Sequence, residues 1–100
     1  MQIKIDAPGH KNQNKLRSFL QEKIQSSFSK YNFINSVTTR VTEDHGLKVI
    51  SLQLVPKNGS LLFVKDMSKD ENEAVNSVMR KMQSQVKKYK DMRFGKARRV

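Results

Sequence analysis

Between Arg80 and Val100 the chain carries nine of its twenty basic residues and a single acid, Asp91. Arg80-Lys81 and Lys87-Lys88 stand one heptad apart. On a helix rising ~1.5 Å per residue the two pairs stack on one face, roughly 10 Å apart along the axis. That repeat is on the scale of neighbouring phosphates in a nucleic-acid strand. The chemistry it supports is electrostatic: Lys and Arg donors meeting the oxygens of a polyanion, of which nucleic acid is the commonest. Upstream, Lys11, Lys15, Arg17, Lys23 and Lys30 add to the charge, with Glu22 opposing them. Downstream, the basic tail Arg93-Phe94-Gly95-Lys96-Ala97-Arg98-Arg99 continues it. Phe94, lying between bases, has the setting of a base-stacking residue, although an aromatic in such a place more often packs.

No other chemistry assembles. His10 and His45, the two histidines, each fall in a predicted turn and lack the HxxxH or HExxH spacing of a metal site. Glu43-Asp44-His45 could be drawn as a ligand cluster, but three adjacent turn residues are more often simply solvated. Neither a Gly-rich phosphate loop nor a serine-nucleophile motif occurs. With no cysteine there is no thiolate site and no disulfide framework. The chain therefore reads as a non-enzyme with no catalytic residue, no metal, no cofactor and no small-molecule substrate.

One hundred residues with a net charge of +11 and 36% apolar content make one small, highly charged domain. No apolar run approaches the ~20 residues of a membrane span. The alternating start Gln2-Ile3-Lys4-Ile5-Asp6 is unlike the continuous apolar stretch of a signal peptide. A cytoplasmic protein with no membrane partner is the default expectation.

The elements that must hold these bases follow from periodicity. Residues 2–6 predict a strand closed by Ala7-Pro8-Gly9. Leu16, Phe19, Leu20, Ile24, Phe28 and Tyr31 predict an amphipathic helix over 13–31, with Asn12 as its N-cap. Val37, Thr39 and Val41 at period two predict a strand over 34–43. After the turn Asp44-His45-Gly46, residues 47–55 predict a strand with Ile50, Leu52 and Leu54 on one face. Asn58-Gly59 is a strong hairpin signal ahead of a last strand over 60–66, whose inward face the pattern leaves open. Ser68-x-x-Glu71 reads as a capping box, starting a helix near Lys69 that runs to about Asp91, with Gly95 its latest end. The order β-α-β-β-β-α, with one apolar stripe per helix, predicts an α+β two-layer sandwich: a four-stranded sheet with two helices on one face. The opposite face is expected to be solvated, carrying residues such as Arg40 or Lys48.

In this setting the chain resembles the bacterial ribosome hibernation factors, the hibernation-promoting factor and ribosome-associated inhibitor group, also called the sigma-factor modulation family. Met1-Gln2-Ile3-Lys4-Ile5 is similar to the family's opening strand, and Leu16-Arg17-Ser18-Phe19-Leu20 with Lys23 to its first helix. Gly59 stands at the start of the fourth strand, as in the family. Lys81-Met82-x-x-Gln85-Val86-x-Lys88-x-Lys90-Asp91 is similar to the second-helix signature. The resemblance spans about residues 1–93, a single ribosome-binding domain followed by a short basic tail, 94–100. It departs at Ser84, where relatives often carry Arg, and at Arg80, where some carry an acid.

The resemblance implies a double-stranded-RNA-binding-like fold that binds the small ribosomal subunit, in the channel where messenger and transfer RNA would lie, and inhibits translation. It assigns contacts with ribosomal RNA to Arg17, Lys23, Lys81, Lys88 and Lys90; charge alone adds Arg80 and Lys87. It further implies the short form, without the long form's dimerisation domain, and a monomer away from the ribosome. A free-standing double-stranded-RNA binder and a modulator of a protein partner such as a transcription factor stay open as alternatives.

Overall fold

The computed structural model describes residues 1–92. Arg93 to Arg99, with Phe94 and Gly95, lie outside the described residues. The chain forms β1 (Gln2–Asp6), α1 (Gln13–Phe28), β2 (Ile34–Asp44), β3 (Leu47–Pro56), β4 (Leu62–Ser68) and α2 (Glu71–Lys90). The sheet order is β1-β2-β3-β4. β1 runs parallel to β2, with α1 as the crossover a parallel neighbour needs, and β2–β3–β4 is an antiparallel meander.

One sheet face is apolar because the register aligns the right residues across it. Ile3 pairs with Val37, Val37 with Leu54, and Leu54 with Leu62; Thr39, Leu52 and Val64 form the next row. Both helices cover this face. Leu16, Leu20, Ile24 and Phe28 of α1 join Ala74, Val75, Val78, Met79, Met82 and Val86 of α2 in one core. Among the described residues the one buried polar side chain, Thr39, donates its hydroxyl to the Ser51 carbonyl at 2.9 Å. The cost of burying that hydroxyl is thereby offset.

β4 resolves its own ambiguity: Val64 is buried and Leu62 partly so, while Phe63 and Met67 point to the open face, about half exposed. Arg40 lies on that open face, beside Asp6 at 3.2 Å. Lys48 does not. It shares parity with Ile50 and sits at the rim of the helix-covered face, its ammonium 2.7 Å from Glu43.

The turns differ in detail from the sequence expectation. The tight connection is His45-Gly46, both with positive φ (52° and 79°), the two-residue type I′ geometry that matches strand twist. Asn58-Gly59 instead lies inside a longer link, residues 57–61, and β4 accordingly begins two residues later than the strand expected over 60–66. α1 ends at Phe28 rather than Tyr31, since the Tyr31 amide turns back to the Phe28 carbonyl at 3.0 Å. Asn12 does stand at the N-cap of α1, but its side chain makes no cap hydrogen bond.

The N-terminus of α2 also departs from its predicted capping box. Asp70 is the N-cap, its carboxylate accepting the Asn72 amide at 3.0 Å, whereas Ser68 closes β4 and accepts the Asp70 amide at 3.2 Å. Asp is among the strongest N-caps, and it adds a negative charge where the helix dipole is positive. Asp70→Ala is expected to cost about 1 kcal/mol of stability. Ser68→Ala should stay within roughly 0.5 kcal/mol. Urea unfolding of the two variants checks this, and the reverse order would return the cap to Ser68.

Candidate nucleic-acid interface

Because the apolar stripe of α2 is spent on the sheet, its remaining side chains must face outward. Stepping about 100° per residue, the bases fall into two rows flanking Ser84. Arg80 and Lys87 form the row toward α1; Lys81 and Lys88 form the row toward β4. All four are exposed, as are Ser84 and Lys90.

The first row borders a cavity of about 450 Å³ between the helices, lined by Lys23, Ser26, Ser27, Asn76, Met79, Arg80 and Gln83. Lys23 reaches across to Asn76 Oδ1 at 2.7 Å, so α1 and α2 present Lys23 and Arg80 on facing walls. The second row is tied to the sheet. Lys81 Nζ lies 3.2 Å from Asp66 Oδ2, and the Ser77 hydroxyl donates to the same carboxylate. Gln85 reaches the Phe63 carbonyl at 3.5 Å. Arg17 is separate. It projects about 120° around α1 from Lys23, on the flank away from α2.

Lys90 stands at the far end of α2, its ammonium 5.9 Å from the centre of the Tyr31 ring. Thus the structure gathers Lys23, Arg80, Lys81, Lys87 and Lys88 on one helical surface, sets Lys90 at its end and leaves Arg17 on another flank. Among the described residues no carboxylate pairs with Arg80, Lys87, Lys88 or Lys90.

Asp66 apart, the acids that find partners sit elsewhere. Glu71 and Glu73 occupy the first turn of α2, and Glu71 accepts from His10 at 2.9 Å. Glu43 is held below the usual carboxylate range by its hydrogen bond to Lys48. Asp44 lies 2.7 Å from His45. Among the described residues no group of three such side chains is placed to hold a metal ion. Nor is any of their helices long and apolar enough to cross a membrane.

Two features of this surface were invisible in the sequence. Asp66 belongs to β4, and the β3–β4 register turns it towards α2, under Lys81. Tyr31 and Phe33 of the α1–β2 link meet Tyr89 of α2 in space, with ring centroids 5.5 Å apart for Tyr31–Phe33 and 5.4 Å for Phe33–Tyr89. The wide separation of Tyr89 from the other two carries no periodic signal.

Asp66 titrates at about 2, held down first by the Ser77 hydroxyl, then by the Met67 amide and the Lys81 ammonium. Its folded-state value lies below the ~3.9 of a free Asp, so its stabilisation is present above that value and fades as pH falls towards 2. With Lys81 52% exposed, solvent screens the pair, and Asp66→Asn should cost on the order of 1 kcal/mol at pH 7. Thermal unfolding of the two proteins should converge between pH 4 and pH 2; a gap that persists at pH 2 would contradict this origin.

Comparison with known proteins places this geometry in a family. The family model described as sigma 54 modulation protein / S30EA ribosomal protein matches residues 3–93. No curated protein sequence matches the chain. Among solved structures, a ribosomal subunit interface protein from Coxiella burnetii superposes with a TM-score of 0.80 at 21% identity, covering 90% of this chain and 98% of that one. The N-terminal domain of Protein Y from Thermus thermophilus superposes at 0.76 with 16% identity, covering 89% and 99%. At these identities the two likenesses establish the fold.

Proposed function

The chain belongs to the sigma 54 modulation protein / S30EA ribosomal protein family, and on that premise we propose that it is a ribosome hibernation factor. It binds the small ribosomal subunit in the messenger and transfer RNA channel and so inhibits translation, without catalysing a reaction. The site of action is the cytoplasm, where ribosomes work. The Coxiella relative's description as a ribosomal subunit interface protein agrees with this reading.

The observation that carries it is the helical surface: Arg80, Lys87 and Lys88 exposed and unneutralised, with Lys23 on the facing helix. These groups meet phosphate oxygens, which position a protein on RNA without reading its sequence. Selectivity then comes from the shape of a folded RNA cleft, since regular duplex RNA is recognised largely by form. The exposed bases are carried on helices packed to one core, so their backbone anchor points are fixed where they meet the RNA.

Counterion release sets the expected salt dependence. About five phosphate contacts at a slope of roughly −0.7 to −0.9 each predict that affinity falls on the order of 10²-fold between 50 and 200 mM salt. Replacing Lys87 and Lys88 by Gln should lower that slope by about 2 while leaving the unfolding midpoint unchanged. Sedimentation binding to purified small subunits across a salt series measures both. The same assay, run with plain duplex RNA as competitor, separates the ribosomal reading from a general double-stranded-RNA binder. Equal preference for subunits and duplex would sink the ribosomal reading.

A further inference from the structure

Where α1 ends, the chain builds a surface unlike the rest of the basic face. Lys30, Tyr31, Asn32, Phe33 and Lys90 line a cavity of about 360 Å³, at the small end of the range of ligand sites. Its floor is aromatic. Tyr31 packs on Phe33 with ring centroids 5.5 Å apart, and Phe33 packs on Tyr89 at 5.4 Å.

The floor is fixed from behind. The Tyr89 hydroxyl donates to the Asn58 carbonyl, and the Lys57 amide donates to the Phe33 carbonyl at 2.8 Å. The Tyr31 amide is held by Phe28, and the Tyr31 carbonyl accepts the Ile34 amide at 3.4 Å. A register irregularity between Ile34 and Ser36 lets Ile34 and Val37 both enter the core, and bulges of this kind re-aim neighbouring side chains.

The rim is cationic. Lys30 Nζ and Lys90 Nζ stand 5.2 and 5.9 Å from the centre of the Tyr31 ring, and among the described residues no acid lines the cavity. Two ammonium groups over one half-buried tyrosine are an exposed cation–π arrangement, weak enough to be exchanged for a stacked base. Asn32 adds an amide able both to donate and to accept at a base edge.

We propose that this cavity binds one unpaired nucleotide of an RNA strand: its base stacks on Tyr31, and Lys30 and Lys90 take the flanking phosphates. The proposal rests on the reading that the helical surface binds RNA, and it adds a contact that phosphate recognition alone does not supply. Stacking is indifferent to base identity because every base has a π face. The site would therefore select an unpaired, splayed-out nucleotide over a paired one, whatever its sequence.

The test titrates the intact chain with a short single-stranded RNA and with its abasic counterpart, which keeps the ribose-phosphate backbone and loses the bases. The intact RNA is expected to bind roughly five- to a hundredfold more tightly, the range of one stacked base. Tyr31→Leu should erase that difference and Tyr31→Phe should keep it, each with the thermal midpoint of unfolding recorded alongside. Lys30→Gln should weaken both RNAs equally.

Equal binding of the two RNAs by the unmodified protein would overturn the proposal, as would a difference that survives Tyr31→Leu. Adenosine monophosphate should compete only at far higher concentration than the RNA; competition at equal concentration would make this a free-nucleotide pocket and overturn the strand assignment. Sedimentation with small subunits is scored separately. Its failure would overturn the ribosomal reading while leaving the base preference to stand or fall on the abasic comparison.

Discussion

Everything outward on this molecule follows from one inward constraint: a single sheet face must be covered by two helices that each own one apolar stripe. Phe28, Ile24 and Leu20 of α1 and Met82, Val78 and Val86 of α2 are fully or almost fully buried for that reason. Once those stripes are committed, helical geometry leaves Lys23, Arg80, Lys87 and Lys88 no direction but outward. The basic surface is thus a consequence of the core, which fixes the backbone positions from which its side chains project. A helix that still had its apolar side free could lie in a membrane surface; this one has spent it.

Charge is sorted along the same elements. Asp70, Glu71 and Glu73 gather at the positive end of the α2 dipole, where they cap and stabilise the helix. The opposite half carries Lys87, Lys88 and Lys90, which also suits the dipole. Asp66 is the exception that reaches the basic rows, and it engages Lys81 alone. One side of the sandwich therefore keeps its charge for a partner, while Glu43–Lys48 and Asp6–Arg40 balance theirs internally. This uncompensated surface is the one the proposal sets against ribosomal RNA.

Much of the fold was legible because its signals are local. The 3.6-residue spacing of Leu16 to Phe28 and the alternation of Val37, Thr39 and Val41 specify element type without tertiary help, and the element order leaves few architectures. What escaped was decided by neighbours in space. Ser68 satisfied the capping-box pattern, but β4 extended to claim it and Asp70 took the cap. Lys48 was assigned to the open face although its parity with Ile50 puts it on the other. Asn58-Gly59 carried the stronger turn signal, yet His45-Gly46 made the tight turn and the link after Pro56 ran wider. For the candidate site, the heptad spacing of Arg80-Lys81 and Lys87-Lys88 was enough to place both pairs on one exposed helix face. Neither the Asp66–Lys81 pair nor the Tyr31–Phe33–Tyr89 cluster could be found that way, because each joins residues from separate elements.

The central claim is that the helical side of the sandwich, and not the open side of its sheet, faces ribosomal RNA. Lysine acetylation with and without saturating small subunits, read residue by residue by mass spectrometry, tests it most directly. Lys23, Lys87 and Lys88 should be protected in the complex, while Lys4 and Lys65 on the open sheet face and Lys57 on the β3–β4 link react as they do in the free protein. Protection of Lys4 and Lys65 with Lys87 and Lys88 still reactive would contradict the account.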